Sequence, residues 1–274
     1  MADGQANLGF IGGGQMGEAL IRGVLAAGLY QPQEIAVAEP SAQRRELLAD
    51  RYGVLVYEKD EQLWEFCQVM ILAVKPQIMG SILEQIRGRV DGQKHLLISI
   101  AAGISLGFLE GGLAPGKARV IRVMPNTPAL VLAGASALSP GSHVDDHDLK
   151  LAEKIFAAVG KAVILPESAM DGVTGLSGSG PAYVFTFLES LIDAGVKVGL
   201  SREVAGVLAR QTIMGSLQLA EESQQSPADL RAMVTSPGGT TIAGLHALEN
   251  GAFRGLVMDA VETAARRSRE LGGD

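Results

Sequence analysis

Three glycines near the N-terminus have the spacing of a loop that binds phosphate. Gly12, Gly14 and Gly17 stand at the G-x-G-x-x-G positions, after a short apolar run and before a helical pattern. The first glycine of such a loop allows a tight turn, the second lets the backbone approach a pyrophosphate, and the third lets the helix pack closely on the strand. The first N–H groups of that helix, at Gln15 and Met16, would donate to phosphate oxygens. The spacing therefore predicts a dinucleotide-binding site.

A carboxylate and a short polar segment after the second predicted strand bear on which dinucleotide is bound. Glu39 lies 22 residues after Gly17, where a carboxylate accepts the ribose hydroxyls of NAD and repels a 2′-phosphate. Ser41, Arg44 and Arg45 follow it, and a hydroxyl with two guanidiniums is suited to hold that phosphate. The two arginines also fit the exposed face of a helix. The sequence thus predicts NADP or NAD without choosing between them.

Three further loops fall at the carboxyl ends of predicted strands, where a doubly wound sheet binds ligands. Small side chains there would let a cofactor lie against the backbone, and an asparagine between two prolines would fix the nicotinamide or the substrate. The asparagine also fits a local turn formed by its own side chain. The predicted cofactor-binding residues of these loops are Ala73, Val74, Lys75, Pro76, Ala101, Gly103, Pro125 and Asn126.

A second glycine-rich segment, Ser-Pro-Gly-Gly-Thr-Thr at 236–241, precedes another helical pattern. A glycine-rich turn at a helix N-terminus offers backbone N–H groups to a carboxylate. The competing interpretation is an ordinary helix cap built from Ser236 and the proline after it. We predict a site for a small carboxylate at this turn and keep the plain cap as the alternative.

The elements that would position these residues change character along the chain. In the first half, β-rich runs alternate with helical patterns, the first two at 16–27 and 42–52. This order predicts an α/β fold, an N-terminal Rossmann-like doubly wound sheet. The predicted strands are residues 8–11, 35–38, 69–74, 96–100, 118–123 and 162–165.

After Pro166 the strand-like runs stop and only helical patterns follow, separated by Gly, Pro and Ser. We therefore expect a dinucleotide-binding domain at 1–166 and an all-helical substrate and dimerisation domain at 167–274. About a hundred helical residues form a marginal domain alone, so we expect burial against a second copy. The predicted helices of this part are residues 183–198, 203–222, 228–234, 241–248 and 252–271.

Composition argues against several classes of partner. The formal net charge is −7 and no basic stretch occurs, so we expect neither nucleic acid nor a membrane surface as partner. One cysteine, Cys67, allows no intrachain disulfide, and residues 1–7 do not resemble a signal peptide. We expect a cytoplasmic protein. His143 and His147 lie in an acidic segment that could bind a metal, but we interpret it as a polar loop before a helix and predict no metal site.

Six segments of this chain together resemble the pyrroline-5-carboxylate reductase family. The resemblance runs from residue 8 to about residue 270, and the two helical-half segments are the most specific to that family. The segments are residues 10–17, 73–76, 99–103, 124–128, 174–183 and 236–242.

The resemblance implies an activity, an assembly and a set of site residues. The activity is reduction of 1-pyrroline-5-carboxylate to L-proline by NAD(P)H, and the assembly is a homodimer through the C-terminal helices, often part of a larger ring such as a decamer. The substrate carboxylate would be held by the Ser236 hydroxyl and the N–H groups of Gly239, Thr240 and Thr241, with Gly238 in the same turn. The Thr241 hydroxyl would meet the ring nitrogen as the catalytic donor.

Two other functions are consistent with a Gly-rich strand–turn–helix. A β-hydroxyacid dehydrogenase would place a catalytic Lys, with an Asn nearby, on the first helix after the domain boundary, and residues 180–192 contain neither. A non-catalytic NAD(P)H sensor on the same fold would need no carboxylate site, and the intact segment at 236–241 argues against it.

The chain departs from the pyrroline-5-carboxylate reductase family at one position that bears on the cofactor. Glu39 replaces the small hydroxyl residue that is common in NADPH-preferring members of that family.

Overall fold

A computed structural model describes residues 7–272 of the chain. The stretch at 1–7, on which the expectation of no signal peptide rests, lies outside the described residues except for Asn7. Among residues 7–272, no helix is both long enough and apolar enough to cross a bilayer.

The first part of the described chain forms a single sheet of eight strands, which lie side by side in the order β3-β2-β1-β4-β5-β6-β7-β8. All neighbouring strands are parallel except the antiparallel pair β6 and β7. The order reverses at β1, which lies between β2 and β4, as in doubly wound dinucleotide-binding sheets. The strands are β1 Leu8–Ile11, β2 Ile35–Ala38, β3 Leu55–Tyr57, β4 Val69–Leu72, β5 Leu96–Ser99, β6 Arg119–Met124, β7 Gly134–Pro140 and β8 Gly160–Ile164.

Helices connect these strands and make up the rest of the described chain after β8. The α-helices are α1 Gln15–Ala26, α2 Ala42–Tyr52, α3 Leu63–Phe66, α4 Met79–Ile86, α5 Leu106–Leu113, α6 Asp146–Ala157, α7 Met170–Val173, α8 Gly180–Lys197, α9 Arg202–Ser223, α10 Pro227–Met233, α11 Thr240–Asn250 and α12 Phe253–Gly272. A π-helical turn, Thr174–Gly178, joins α7 to the segment before α8.

The central strands are apolar throughout because both faces of the sheet are covered. Phe10 and Ile71 face one hydrophobic core, whereas their neighbours Ile11 and Leu72 face another. Alternate residues of one strand thus enter opposite cores, which leaves no position for a polar side chain. This explains why β1, β2 and β4 appear in the sequence as unbroken apolar runs.

The fold class predicted from the sequence is confirmed, and all six predicted strands form. Two strands were not predicted. β3 is only three residues long, and β7 is built largely from Gly, Ala and Ser, which have low β propensity. β7 forms because it pairs with β6 on one side and β8 on the other, which is a tertiary effect.

The chain divides by internal contacts into two compact units. One extends to Ser179 and includes the segment from Ala264, and the other is Gly180–Thr263. In the first unit, Ser268 of α12 donates to the Asp171 carboxylate at 2.6 Å. In the second, α8 and α9 pack against each other, and the Tyr183 hydroxyl contacts the Ala260 carbonyl at 3.4 Å. The predicted boundary after residue 166 stays a prediction.

Candidate functional site

The register of the sheet brings three strand ends to one edge. Ile11, the last residue of β1, pairs with Ala38 of β2 and with Leu72 of β4. The residues that follow these three are Gly12, Glu39 and Ala73, so they leave the sheet side by side. Each belongs to the predicted cofactor set.

Gly12 cannot carry a side chain in this arrangement. Its φ is +101°, and a Cβ atom would lie 2.5 Å from the Ala73 carbonyl oxygen. A Cβ on Gly17 would lie 2.9 Å from the Gly12 carbonyl oxygen. Gly14 differs, because a Cβ there would meet nothing within 4 Å. Two of the glycines thus serve backbone packing, while the third borders open space of the kind a pyrophosphate needs.

Helix α1 begins directly after this turn. Gly14 is its N-cap in extended conformation and supplies no side-chain cap, and Glu18 is the first residue whose N–H bonds back to the Gly14 carbonyl. The N–H groups of Gln15, Met16 and Gly17 therefore have no carbonyl of their own helix to donate to. A helix N-terminus of this kind favours an anion.

Glu39 holds the turn through backbone contacts. Its two carboxylate oxygens accept from the N–H groups of Gly13 and Ser41, both at 2.9 Å. Ser41 is the N-cap of α2, and its hydroxyl accepts from the Arg44 N–H. The two residues predicted to contact a ribose or a phosphate thus also fix the local backbone.

Arg44 crosses from α2 to the glycine turn. Its Nε donates to the Gly13 carbonyl, and its Nη2 donates to the Gly14 carbonyl at 3.2 Å and to the Glu18 carboxylate. Burial by itself would raise the pKa of Glu18, but hydrogen bonds from Tyr52, Arg44 and Arg51 outweigh burial, so the pKa lies below its ordinary value. Glu18 is therefore a carboxylate that pairs with Arg44 and Arg51.

A cavity of about 760 Å³ lies along the same strand ends. It brings together six residues of the predicted cofactor set, Gly12, Gly14, Glu39, Ala73, Val74 and Lys75. It also includes Glu58, Lys59, Asp60 and Glu61, which sequence reasoning missed. The sequence does contain a pattern that predicts a strand before them, because Val54 and the apolar residues of β3 follow a glycine and precede this charged run.

Other predicted cofactor residues do not line this cavity. Pro76 begins a short 3-10 turn, Ala101 is buried, and Gly103 takes a φ of +75° after β5. The Asn126 side chain is committed to backbone: its amide donates to the Ser177 carbonyl at 3.1 Å, and its oxygen accepts from the Ala135 N–H at 2.8 Å. Pro125 is buried beside it.

The glycine-rich segment at 236–241 forms a turn that opens α11. Gly238 takes a φ of +66°, and Gly239 is the N-cap in extended conformation. A Cβ on Gly239 would lie 2.3 Å from the Ser236 hydroxyl oxygen. The Gly239 N–H donates to the Ser236 carbonyl at 3.1 Å, while Thr240 and Thr241 are the first two residues of the helix. Thr240 and Thr241 thus offer the N–H groups that lack a partner in their own helix.

A second cavity, of about 850 Å³, lies within the helical unit against α10 and α11. Gly238 and Gly239 line it, together with Arg231, His246 and Arg254 among others, but Ser236, Thr240 and Thr241 do not. Of the predicted substrate residues, only Gly238 and Gly239 therefore line this cavity.

The acidic segment with His143 and His147 caps a helix. Asp145 is the N-cap of α6 and accepts from the Asp148 N–H at 2.8 Å, and the Asp148 carboxylate pairs with Arg119 at 2.7 Å. Two of its carboxylates are thus used by the fold, as the polar-loop interpretation expects. Among residues 7–272, no cluster of three or more His, Cys, Asp or Glu side chains is arranged to hold a metal ion.

The chain is similar to known proteins over nearly its full length. Residues 167–271 match the model of a family described as pyrroline-5-carboxylate reductase dimerisation, and residues 7–103 match one described as NADP oxidoreductase coenzyme F420-dependent. It is 46% identical to the pyrroline-5-carboxylate reductase of Synechocystis sp. over 97% of this chain and 98% of the relative. It is 44% identical to the Arabidopsis thaliana enzyme of the same name, over 96% of this chain and 95% of the relative.

Solved structures show the same similarity. A pyrroline-5-carboxylate reductase from Coxiella burnetii superposes with a TM-score of 0.92 at 37% identity, covering 97% of this chain and 98% of that one. The Plasmodium falciparum pyrroline carboxylate reductase, solved with NADP bound, gives a TM-score of 0.87 at 38% identity, with 99% and 100% covered.

Proposed function

The chain belongs to the pyrroline-5-carboxylate reductase family, and on that premise we propose that it reduces 1-pyrroline-5-carboxylate to L-proline, the last step of proline biosynthesis, with NADPH or NADH. One observation supports the substrate part of this proposal. The turn at 236–241 opens α11 with a left-handed glycine, and the N–H groups of Thr240 and Thr241 have no acceptor in their own helix, which is the geometry that binds a carboxylate.

The first unit fits a dinucleotide. The open space beside Gly14 and the unpaired N–H groups of Gln15, Met16 and Gly17 would hold its pyrophosphate. Glu39 would accept the adenosine ribose hydroxyls, and the loops with Ala73, Val74, Lys75, Pro76, Ala101, Gly103, Pro125 and Asn126 would receive the remainder. The reduced nicotinamide supplies a hydride to the imine carbon when bound.

The residues at 236–241 would position the substrate. The Ser236 hydroxyl and the N–H groups of Thr240 and Thr241 hold the carboxylate. The Gly239 N–H, which donates to the Ser236 carbonyl at 3.1 Å, is a further donor in the same turn. The Thr241 hydroxyl donates to the ring nitrogen, which must gain a proton as the C=N bond becomes CH–NH. An imine needs little beyond such positioning, because its nitrogen is readily protonated before hydride arrives.

The family match at 167–271 indicates that the chain dimerises. We propose further that α8, α9 and α12 form the dimer contact and that dimers assemble into a ring such as a decamer. Large apolar side chains on these helices support the first part: Phe185 is 64%, Leu217 66% and Met258 71% exposed in one chain. Burying such side chains is the main stabilising term in association.

We also propose that the substrate and dimerisation domain begins at residue 167 and that the protein is cytoplasmic. The family match beginning at residue 167 supports the boundary. The single cysteine, Cys67, supports the location, because the chain has no pair of cysteines for the disulfides that are common in oxidising compartments.

The direct experiment supplies 1-pyrroline-5-carboxylate with NADPH, and separately with NADH, and identifies the product. Cofactor oxidation with L-proline formed in equal amount supports the proposal. Binding of NAD(P)H without oxidation would contradict it and favour the sensor. Oxidation of a β-hydroxyacid by NAD(P)+ would favour the dehydrogenase, although α8 has no Lys before its last residue, Lys197.

A further inference from the structure

Glu18 lies outside the glycine turn and has no place in the set of cofactor contacts described above. It belongs to the first turn of α1, and its side chain is 16% exposed. Three donors from α2 converge on its carboxylate: Arg44, Arg51 at 2.9 Å and the Tyr52 hydroxyl at 2.8 Å. A partly buried carboxylate with three donors, two of them cationic, is a strong and directional anchor.

These contacts determine where the guanidinium of Arg44 lies, next to the glycine turn. The same guanidinium that pairs with Glu18 donates to the carbonyls of Gly13 and Gly14. To turn its Nε and Nη2 N–H groups toward a phosphate on the adenosine ribose, Arg44 would have to leave a carboxylate and two carbonyls. Arg45 is engaged as well, since its Nη1 donates to the Glu39 and Pro40 carbonyls at 2.7 and 2.8 Å.

The cavity that Glu39 lines has more carboxylates than ammonium groups. Its lining includes the carboxylates of Glu39, Glu58, Asp60 and Glu61 against two cations, Lys59 and Lys75. Glu39 stays in place because two backbone N–H groups hold its oxygens. A 2′-phosphate would bring further negative charge to this rim while both neighbouring guanidiniums are engaged elsewhere.

We propose that Glu18 is a positioning residue for cofactor specificity: it holds Arg44 on the Gly13 and Gly14 carbonyls, and the chain therefore favours NADH over NADPH. Arg44 then supports the shape of the glycine turn for either cofactor instead of binding the phosphate that distinguishes them. This inference rests on the proposed function for its biological meaning, but its test does not require turnover.

The test compares equilibrium affinities of NADH and NADPH by calorimetry in the full-length protein. Wild type is expected to bind NADH about tenfold tighter, which corresponds to about 1.4 kcal/mol. Glu18→Gln keeps the side-chain shape and an acceptor for Tyr52 but removes the charge that holds Arg44. In this variant the ratio of the NADPH to the NADH dissociation constant is expected to fall about tenfold, because NADPH binds more tightly.

Two variants control for loss of charge and for local structure. Glu46→Gln removes a carboxylate from the exposed face of α2, and Tyr52→Phe removes one contact to Glu18 without releasing Arg44. Both are expected to keep the wild-type ratio. Combining Arg44→Met with Glu18→Gln is expected to abolish the gain in NADPH affinity, because the released guanidinium is its source.

Arg44→Met alone keeps the inference testable if Glu18→Gln does not fold. It is expected to weaken both cofactors together and leave their ratio unchanged. A selective loss of NADPH affinity in Arg44→Met, a wild-type preference for NADPH, or a Glu18→Gln ratio equal to that of Glu46→Gln would each overturn the inference. A protein that shows the expected ratios but forms no proline would refute the proposed function and leave the role of Glu18 standing.

Discussion

Asn126 donates a hydrogen bond from its side-chain amide to the backbone carbonyl of Ser177, at 3.1 Å. The same side chain accepts from the Ala135 N–H at 2.8 Å. One amide thus ties the loop after β6 to the first residues of β7 and to the π-helical turn Thr174–Gly178. Irregular turns of this kind recur at functional sites and need such support.

Replacing Asn126 should therefore lower the free energy of unfolding of the protein. Asn126→Ala leaves the Ala135 N–H and the Ser177 carbonyl without their partner, which costs about 1–3 kcal/mol. Urea unfolding measures this loss. Asn250→Ala, at an exposed position of α11, should cost about 0.5 kcal/mol or less. Equal losses for the two variants would show that the Asn126 bridge contributes nothing.

Gly12 and Gly14 should respond differently to alanine, although they belong to one motif. Gly12→Ala places a Cβ 2.5 Å from the Ala73 carbonyl at a φ of +101°, so we expect a large fall in melting temperature. Gly14→Ala meets no atom within 4 Å, so the fold should lose no more than about 1 kcal/mol.

The Gly14 variant should lose cofactor instead, because its methyl group enters the space that the pyrophosphate needs. We expect about a tenfold or greater fall in affinity for NADH and NADPH alike. Retained affinity in a folded Gly14→Ala protein would remove this turn from the proposed cofactor site.

Glu39→Ser should shift preference toward NADPH. The change removes the charge that repels a 2′-phosphate and introduces a small hydroxyl that can donate to it. The ratio of kcat/KM for NADPH over NADH should rise about tenfold. Glu39→Gln, which keeps an acceptor for the Gly13 N–H, should give part of this shift. An unchanged ratio in both variants would refute the ribose contact.

Thr241→Ala should reduce turnover and leave cofactor affinity largely unchanged. The variant loses the hydroxyl proposed to donate to the ring nitrogen, for which a fall of about a hundredfold in kcat/KM for the imine is expected. Thr241→Ser retains the hydroxyl and should recover most of the activity. Unchanged kinetics in Thr241→Ala would remove Thr241 from this role.

Much of the fold could be predicted from local sequence pattern. The continuous apolar run at Val69–Leu72 predicted a strand covered on both faces, and the spacing of Gly12, Gly14 and Gly17 predicted the turn before α1. β7 could not be predicted in this way, because its small residues form a strand only through pairing with β6 and β8. Sequence pattern reports a residue's own preference and says little about pairing that neighbours impose.

The same limit applies to the candidate site. Glu39 and Arg44 were predicted as ligand contacts from their positions, but their partners in the fold were not. Glu18 is 26 residues from Arg44 in sequence, and nothing local links the two. Glu58 and Asp60 were missed because β3, the strand before them, was not recognised.

Isotope labelling follows the proposed hydride transfer from the cofactor to the imine. NADH, or NADPH, deuterated at nicotinamide C4 is incubated with the protein and 1-pyrroline-5-carboxylate, and the product is analysed by NMR. We expect L-proline carrying deuterium at C5, the former imine carbon. Proline without deuterium, whichever of the two C4 hydrogens of the cofactor is labelled, would contradict the proposed reduction, and so would no proline while the cofactor stays reduced.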